Sequence, residues 1–420
     1  MASADVNAIA HHAALDARMA KAAKPIKLLS LVSWPASEQQ RFLSGWAKGN
    51  PTLPCFEYPK HDFSDARREL VAIAAAADSE HPLGQYLIES AQGWVLAAEL
   101  LENLGTRQVT DLSIALFGTP DHALPGGATT REAANHFLMV ADELDHELLA
   151  PSEQVEISAT ALALQLQAEL DDFFDARVIS VELDPNLIAK AAAGATRIRL
   201  RSRAAFSDYD MQQLLQHEAF VHSLTALNGQ QQSNLPSLAL SSPRITATQE
   251  GLAVFAEQIT GSIDIERMKR VSLRIEAVAM ALEGADFIQV FRYFLMSGQN
   301  EVESFTSAQR VFRGVPTTGG LAFTKDTVYL RGLIGVHTFF RWALKHGKLR
   351  LCRLLFAGKM TLADVQRFEP LFDCGALKEP RWMPAWVARA NGLAGMLAFS
   401  LFANKIRLEQ IVSADNVVDF

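Results

Sequence analysis

The sequence predicts an α+β protein, predominantly helical, with one small sheet. Two observations carry that prediction. Most segments place apolar residues three and four apart with good helix formers between them, as in "GQYLIESAQGWVLAAELLENLG". Only near residue 178 does the pattern change to alternation, in "VISVEL" and "TRIRLRS". Hydrophobic residues make up 49% of the 420-residue chain, enough for a sizeable core.

Taken in order, "DARRELVAIAAAA", "GQYLIESAQGWVLAAELLENLG" and "TREAANHFLMVADELDHELLA" read as helices. Thr129 and Glu132 fit a capping box at the start of the third. "GNPTLPCFEYP" and "HALPGG" read as joints. In "TRIRLRS", Ile198 and Leu200 alternate with Arg197, Arg199 and Arg201, the pattern of a half-buried strand. After residue 206 long helices return, among them "GSIDIERMKRVSLRIEAVAMALEG" and "DTVYLRGLIGVHTFFRWALKHG". The expected division is a helical region over 1–155 and a second part over 156–420 that holds the candidate chemistry. His11-His12 reads as a mobile terminus.

A net charge of −8 argues against general nucleic-acid binding. Cys55, Cys352 and Cys374 form no C-x-x-C, which excludes a disulfide framework and a cysteine zinc site. No signal-peptide pattern opens the chain, and the apolar run "GLAGMLAFSLFANKI" is too short to span a bilayer. A cytoplasmic protein that does not engage membranes is expected.

The chemistry concentrates in "FSDYDMQQLLQHEAFVHSLTALNG". Ser207 and Asp210 fit a capping box, so a helix starts at about Asp208 and carries His217, Glu218 and His222. The familiar zinc-peptidase spacing is H-E-x-x-H, with histidines four apart. Here they are five apart, which puts them roughly 140° from each other on an ideal helix. A π-bulge, with its i→i+5 bonding, would bring them onto one face. Chance alone gives about one or two such H-E…H matches per hundred chains of this composition, so the spacing needs a second element.

That element is "TATQEGLAVFAEQ". Thr246 or Thr248 can cap its helix and Glu250 falls in the first turn, where the helix dipole favours a carboxylate in any case. Two histidines and a glutamate are the ligand class of catalytic zinc. Glu257, seven residues on along the same face, is the fallback third ligand.

These blocks resemble the flavohemoglobin expression-modulating QEGLA-motif proteins, which are similar to the microtubule-associated tyrosine carboxypeptidases of eukaryotes. The shared pattern is H-E-x-x-x-H, then "LNG", then [TQ]-E-G-L-A. It stands here as His217-Glu218…His222, "ALNG" at 226–229 and Gln249-Glu250-Gly251-Leu252-Ala253. "RVFRG" followed by "FTKDTVYLRGL" resembles a downstream signature, and the resemblance covers about 160–345. It implies a zincin-like metallopeptidase core, Zn²⁺ on His217, His222 and Glu250, and Glu218 as general base. The substrate implied is a peptide or protein, trimmed at its C-terminus. An endopeptidase of one specific protein and a non-catalytic metal-binding regulator are the alternatives. One departure from the family is Phe220-Val221, where Gly-Thr is usual.

In the third block, Thr324 as N-cap would place Lys325 and Tyr329 on one helical face. Lys325 is then the candidate for a substrate carboxylate and Tyr329 for the developing oxyanion. Arg313 and Arg331 are further cationic candidates for substrate binding. "ADELDHELLA", with Asp142, Asp145 and His146, reads as a solvated helix face rather than a cation site.

Overall fold

A computed structural model describes residues 3–144, 156–185, 187 and 190–403. Asp145 and His146, and the end of the apolar C-terminal run, lie outside the described residues. Among the described residues no helix is long and apolar enough to cross a membrane.

Helices dominate, as expected, and the strands are few and short. The alternation around Arg197 is realised as a three-stranded sheet of order β2 (Ser180–Asp184), β4 (Arg197–Arg201), β3 (Ala191–Ala193). β2 runs parallel to β4, with Val181 opposite Ile198, and β3 runs antiparallel, with Ala193 opposite Ile198. Ile198 and Leu200 are fully buried, so the alternation read the inner face correctly. β3 had no sequence signal, because "AAA" favours helix and is strand only through pairing with β4. A second ladder joins β1 (Ile157–Ser158) to β5 (Ala205–Phe206).

Both predicted capping boxes form, at Thr129 before the helix Thr130–Glu143 and at Ser207 before the helix Asp208–Gln213. His11 and His12 are not in a mobile terminus. They lie in the helix Ser3–Ala23, where His12 is buried and its Nε2 accepts from the Asp78 backbone N–H.

The helices before residue 144 pack directly on the elements that carry the chemistry. On Gln108–Phe117, the Ser113 Oγ accepts from the Thr324 backbone N–H at 2.7 Å, fixing the turn before Lys325. The helix Pro82–Glu102 supports the turn Pro243–Ile245 that leads into the Glu250 helix, with Glu89 and Asp364 both engaging Arg244.

Two glycines set a close helix crossing. The Glu250 helix, Thr246–Ile259, meets the helix Val328–Lys345 backbone to backbone. A Cβ on Gly251 would stand 2.1 Å from the Gly332 carbonyl carbon, and one on Gly332 would stand 2.0 Å from the Ala247 oxygen. Only residues without a side chain allow that approach, and it brings the Glu250 block against the Lys325–Tyr329 block.

Candidate metal centre

The segment Leu214–Ser223 is π-helical. Its i→i+5 bonding removes the angular mismatch of a five-residue spacing, and the His217 and His222 rings stand 4.8 Å apart, edge to face. Phe220 does not obstruct this. Its ring packs on Phe173 at 4.4 Å and lines neither cavity beside the histidines. β3 borders the π-helix, and the Ser223 hydroxyl donates to the Gly194 carbonyl at 2.7 Å.

Glu250 Oε2 lies 3.6 Å from Nε2 of His217 and 3.6 Å from Nε2 of His222. These three side chains form a group able to hold a metal ion, with one donor atom from each within 4.8 Å of the others. Donors about 2.1 Å from a single ion in a tetrahedral arrangement stand roughly 3.4 Å apart, close to the observed separation. The triad therefore fits a divalent first-row ion.

Glu257 is not a ligand. It is fully buried, and its Oε1 accepts from His217 Nδ1 at 2.6 Å. That bond commits the His217 proton to Nδ1 and leaves Nε2 free for a cation, the usual arrangement around ligating histidines. Arg267 donates to the same carboxylate at 3.0 and 3.1 Å. Burial alone would lower the His217 pKa, but Glu250 and Glu257 outweigh it and push it up to about 10. The field that favours a proton there favours a divalent cation more. Glu250 is held well below the usual carboxylate range: burial opposes this, and Lys325 with the two histidines overcomes it.

The remaining candidates divide. Lys325 donates to Glu250 Oε1 at 2.9 Å and is therefore already engaged. Burial lowers its pKa, but Glu250 and Tyr329 raise it above the ordinary lysine value. Lys325 does meet Tyr329, at 3.4 Å, although not through the expected helix start. Thr324 opens a 3-10 turn, Thr324–Thr327, without a side-chain cap, because its hydroxyl is bonded to Ser113 instead. Neither Thr246 nor Thr248 caps the Glu250 helix, and the Thr246 hydroxyl donates back to Pro243. Glu250 consequently sits past the first turn, where the dipole no longer accounts for it.

Arg313 and Arg331 line neither cavity that reaches the triad. Burial, with Arg310 beside it, pushes Arg313 down to about 10. Burial likewise lowers Arg331, whose guanidinium packs near Gly118 and His122.

Glu218 lines both cavities that meet at the triad. One is a cleft of about 610 Å³ that also takes His217, Tyr329, Arg267, Arg274 and Arg310 into its walls. The other, of about 440 Å³, adds His222, Glu250, Lys325, Gln249 and Lys359, with Leu28, Trp94, Phe117 and Ile245 as apolar wall. Sequence reading missed Arg267, Arg310 and Lys359, and gave Gln249 no role of its own within the shared motif. The one available signal was a lone lysine in the apolar run "LLFAGKM".

The family described as microtubule-associated tyrosine carboxypeptidase matches residues 40–405, and this chain belongs to it. No curated protein matches the chain.

Proposed function

We propose that this protein is a zinc-dependent carboxypeptidase that removes residues from the C-termini of peptides or proteins, tyrosine among them. The observation that supports it most directly is the His217–His222–Glu250 triangle with Glu218 beside it, in a chain of a carboxypeptidase family. Two imidazoles and one carboxylate are the set that leaves a catalytic zinc with an open position. Zinc held there supplies Lewis acidity, polarising the scissile carbonyl and acidifying water.

The chain's own groups do the rest. Glu218 Oε1 is 4.0 Å from His217 Nε2 and borders both cavities, where its carboxylate takes the proton of the attacking water and returns it to the leaving amine. Tyr329 serves the oxyanion. Lys325 at 3.4 Å and Arg310 at 3.5 Å both donate to its oxygen, so its own proton is free to be donated to substrate. Lys325 holds Glu250 through the carboxylate oxygen that faces away from the histidines. In this reading the helices of 1–155 form a supporting shell, and 156–420 carries a zincin-like catalytic part. The three cysteines are free, which accords with a cytoplasmic site of action.

Glu218→Gln tests the assignment, since it keeps size and hydrogen bonding but cannot act as a base. Zinc content and melting temperature should persist while release of a C-terminal tyrosine falls at least about a hundredfold. Unchanged turnover in purified Glu218→Gln would remove the chemistry from this site.

A further inference from the structure

Lys359 is a buried cation that the mechanism above does not use. Its side chain is 8% exposed in the second cavity, and its Nζ donates to the Ser241 hydroxyl at 2.8 Å. Among the described residues no carboxylate pairs with it, whereas Lys325, in the same cavity, is paired with Glu250. Burying an ammonium without a counter-ion is costly, and burial pushes Lys359 down to about 8 even though Glu218 and Glu250 raise it.

The fold invests in holding Lys359 there. Its backbone N–H donates to the Leu238 carbonyl at 2.7 Å. A Cβ on Gly358 would meet the Leu238 Cβ at 2.8 Å, and one on Gly229 would meet the Leu238 oxygen at 2.3 Å. Asn228 and Gln232 donate to the Phe356 and Ala357 carbonyls, at 2.8 and 3.0 Å, fixing the strand of chain that delivers the lysine. The "LNG" following His222 is thus a latch for this segment. A second polar group waits in the same cavity. Gln249 is 4% exposed, accepts from the Thr225 hydroxyl through Oε1, and among the described residues has no partner at Nε2.

We infer that Lys359, with Ser241 at its ammonium and the Gln249 amide in the same cavity, is the anchor for the substrate's terminal carboxylate. The inference rests on the carboxypeptidase reading and deepens it. Glu218 borders both cavities, so a peptide passing it leaves its body in the arginine-lined cleft and its last residue against Trp94 and Phe117. An unpaired cation beside an apolar wall suits one terminal carboxylate with a large side chain.

The test uses the zinc-loaded full chain and two probes, N-acetyl-tyrosine and N-acetyl-tyrosinamide, with Kd read by NMR titration. The acid should bind about ten- to a hundredfold more tightly than the amide, the worth of one charge-assisted hydrogen bond. Lys359→Met should erase that preference with zinc content unchanged, and Lys359→Arg should retain part of it. Should Lys359→Met not fold, Ser241→Ala, which removes only the hydroxyl that holds the ammonium, should lower the preference severalfold. A preference that survives Lys359→Met or Ser241→Ala intact, or is absent from wild type, overturns the anchor. Turnover of a tyrosine-ended peptide in the same samples separates the two claims. A Lys359-dependent preference without cleavage leaves the anchor standing and the peptidase reading fallen; cleavage with a preference indifferent to Lys359 does the reverse.

Discussion

Replacing Glu257 with Gln isolates what the buried carboxylate behind His217 contributes. The amide oxygen can still accept from Nδ1, so the ring stays oriented, but the negative charge 2.6 Å from the imidazole is gone. Two effects then oppose each other. The carboxylate draws the proton that competes with the metal, and it draws the metal itself. A divalent ion feels that charge about twice as strongly as the proton it displaces, so the net result is weaker binding. Loss of such an orienting carboxylate typically costs ten- to a hundredfold in metal affinity, or about 1.4–2.7 kcal/mol. Competition with a chromophoric chelator at fixed pH measures it. Stability should fall as well, because Arg267 loses the charge of a buried partner, a change worth on the order of 1.5–3 kcal/mol. The two effects separate in Arg267→Met, which destabilises while leaving the carboxylate on His217, so its metal affinity should not fall. An unchanged zinc Kd in folded Glu257→Gln would show that Glu257 serves only Arg267, and the account of His217 given above would be wrong.

Three further outcomes are expected. His217→Ala combined with His222→Ala should abolish stoichiometric zinc by elemental analysis, and a tightly bound ion retained by that variant would refute the ligand set. Gly251→Ala places a Cβ 2.1 Å from the Gly332 backbone; urea unfolding should show a loss of about 3 kcal/mol or more, and an unperturbed midpoint would mean the crossing is looser than described. Asp16 is fully buried and accepts from the Ser237 backbone N–H at 2.8 Å and from its hydroxyl; burial pushes its pKa up to about 7. An acid that binds its proton more tightly when folded loses stability as pH rises from about 4 to 7, here on the order of 4 kcal/mol. Asp16→Asn should flatten stability against pH across that window, and an unchanged slope would place the titration elsewhere.

Local chemistry was legible in the sequence wherever neighbours along the chain decide the outcome. Ser207 with Asp210 and Thr129 with Glu132 cap their helices as read, because each box is closed within four residues. The five-residue histidine spacing announced its own distortion, since two imidazoles on an ideal helix could not share an ion, and the π-helix supplies the missing rotation. The ordered blocks pointed to Glu250, and the triangle of donors forms around it. What the sequence left open depends on where distant backbones come to rest. Glu257 sits 40 residues from His217, and only the packing of the Thr246–Ile259 helix on the π-helix shows that it orients the ring rather than joining the triad. Lys325 and Lys359 are both plausible cations on paper. The Gly251–Gly332 crossing brings the first against Glu250, while the Asn228 and Gln232 latch holds the second where, among the described residues, no carboxylate pairs with it. Charge alone did not bring Arg313 and Arg331 to the cavities: their near neighbours along the chain, Arg310 and Tyr329, line the larger one, and Arg313 and Arg331 line neither. Residue type and spacing determine which groups can ligate or titrate; the close approach of backbones, allowed only where a side chain is missing, decides which of them meet.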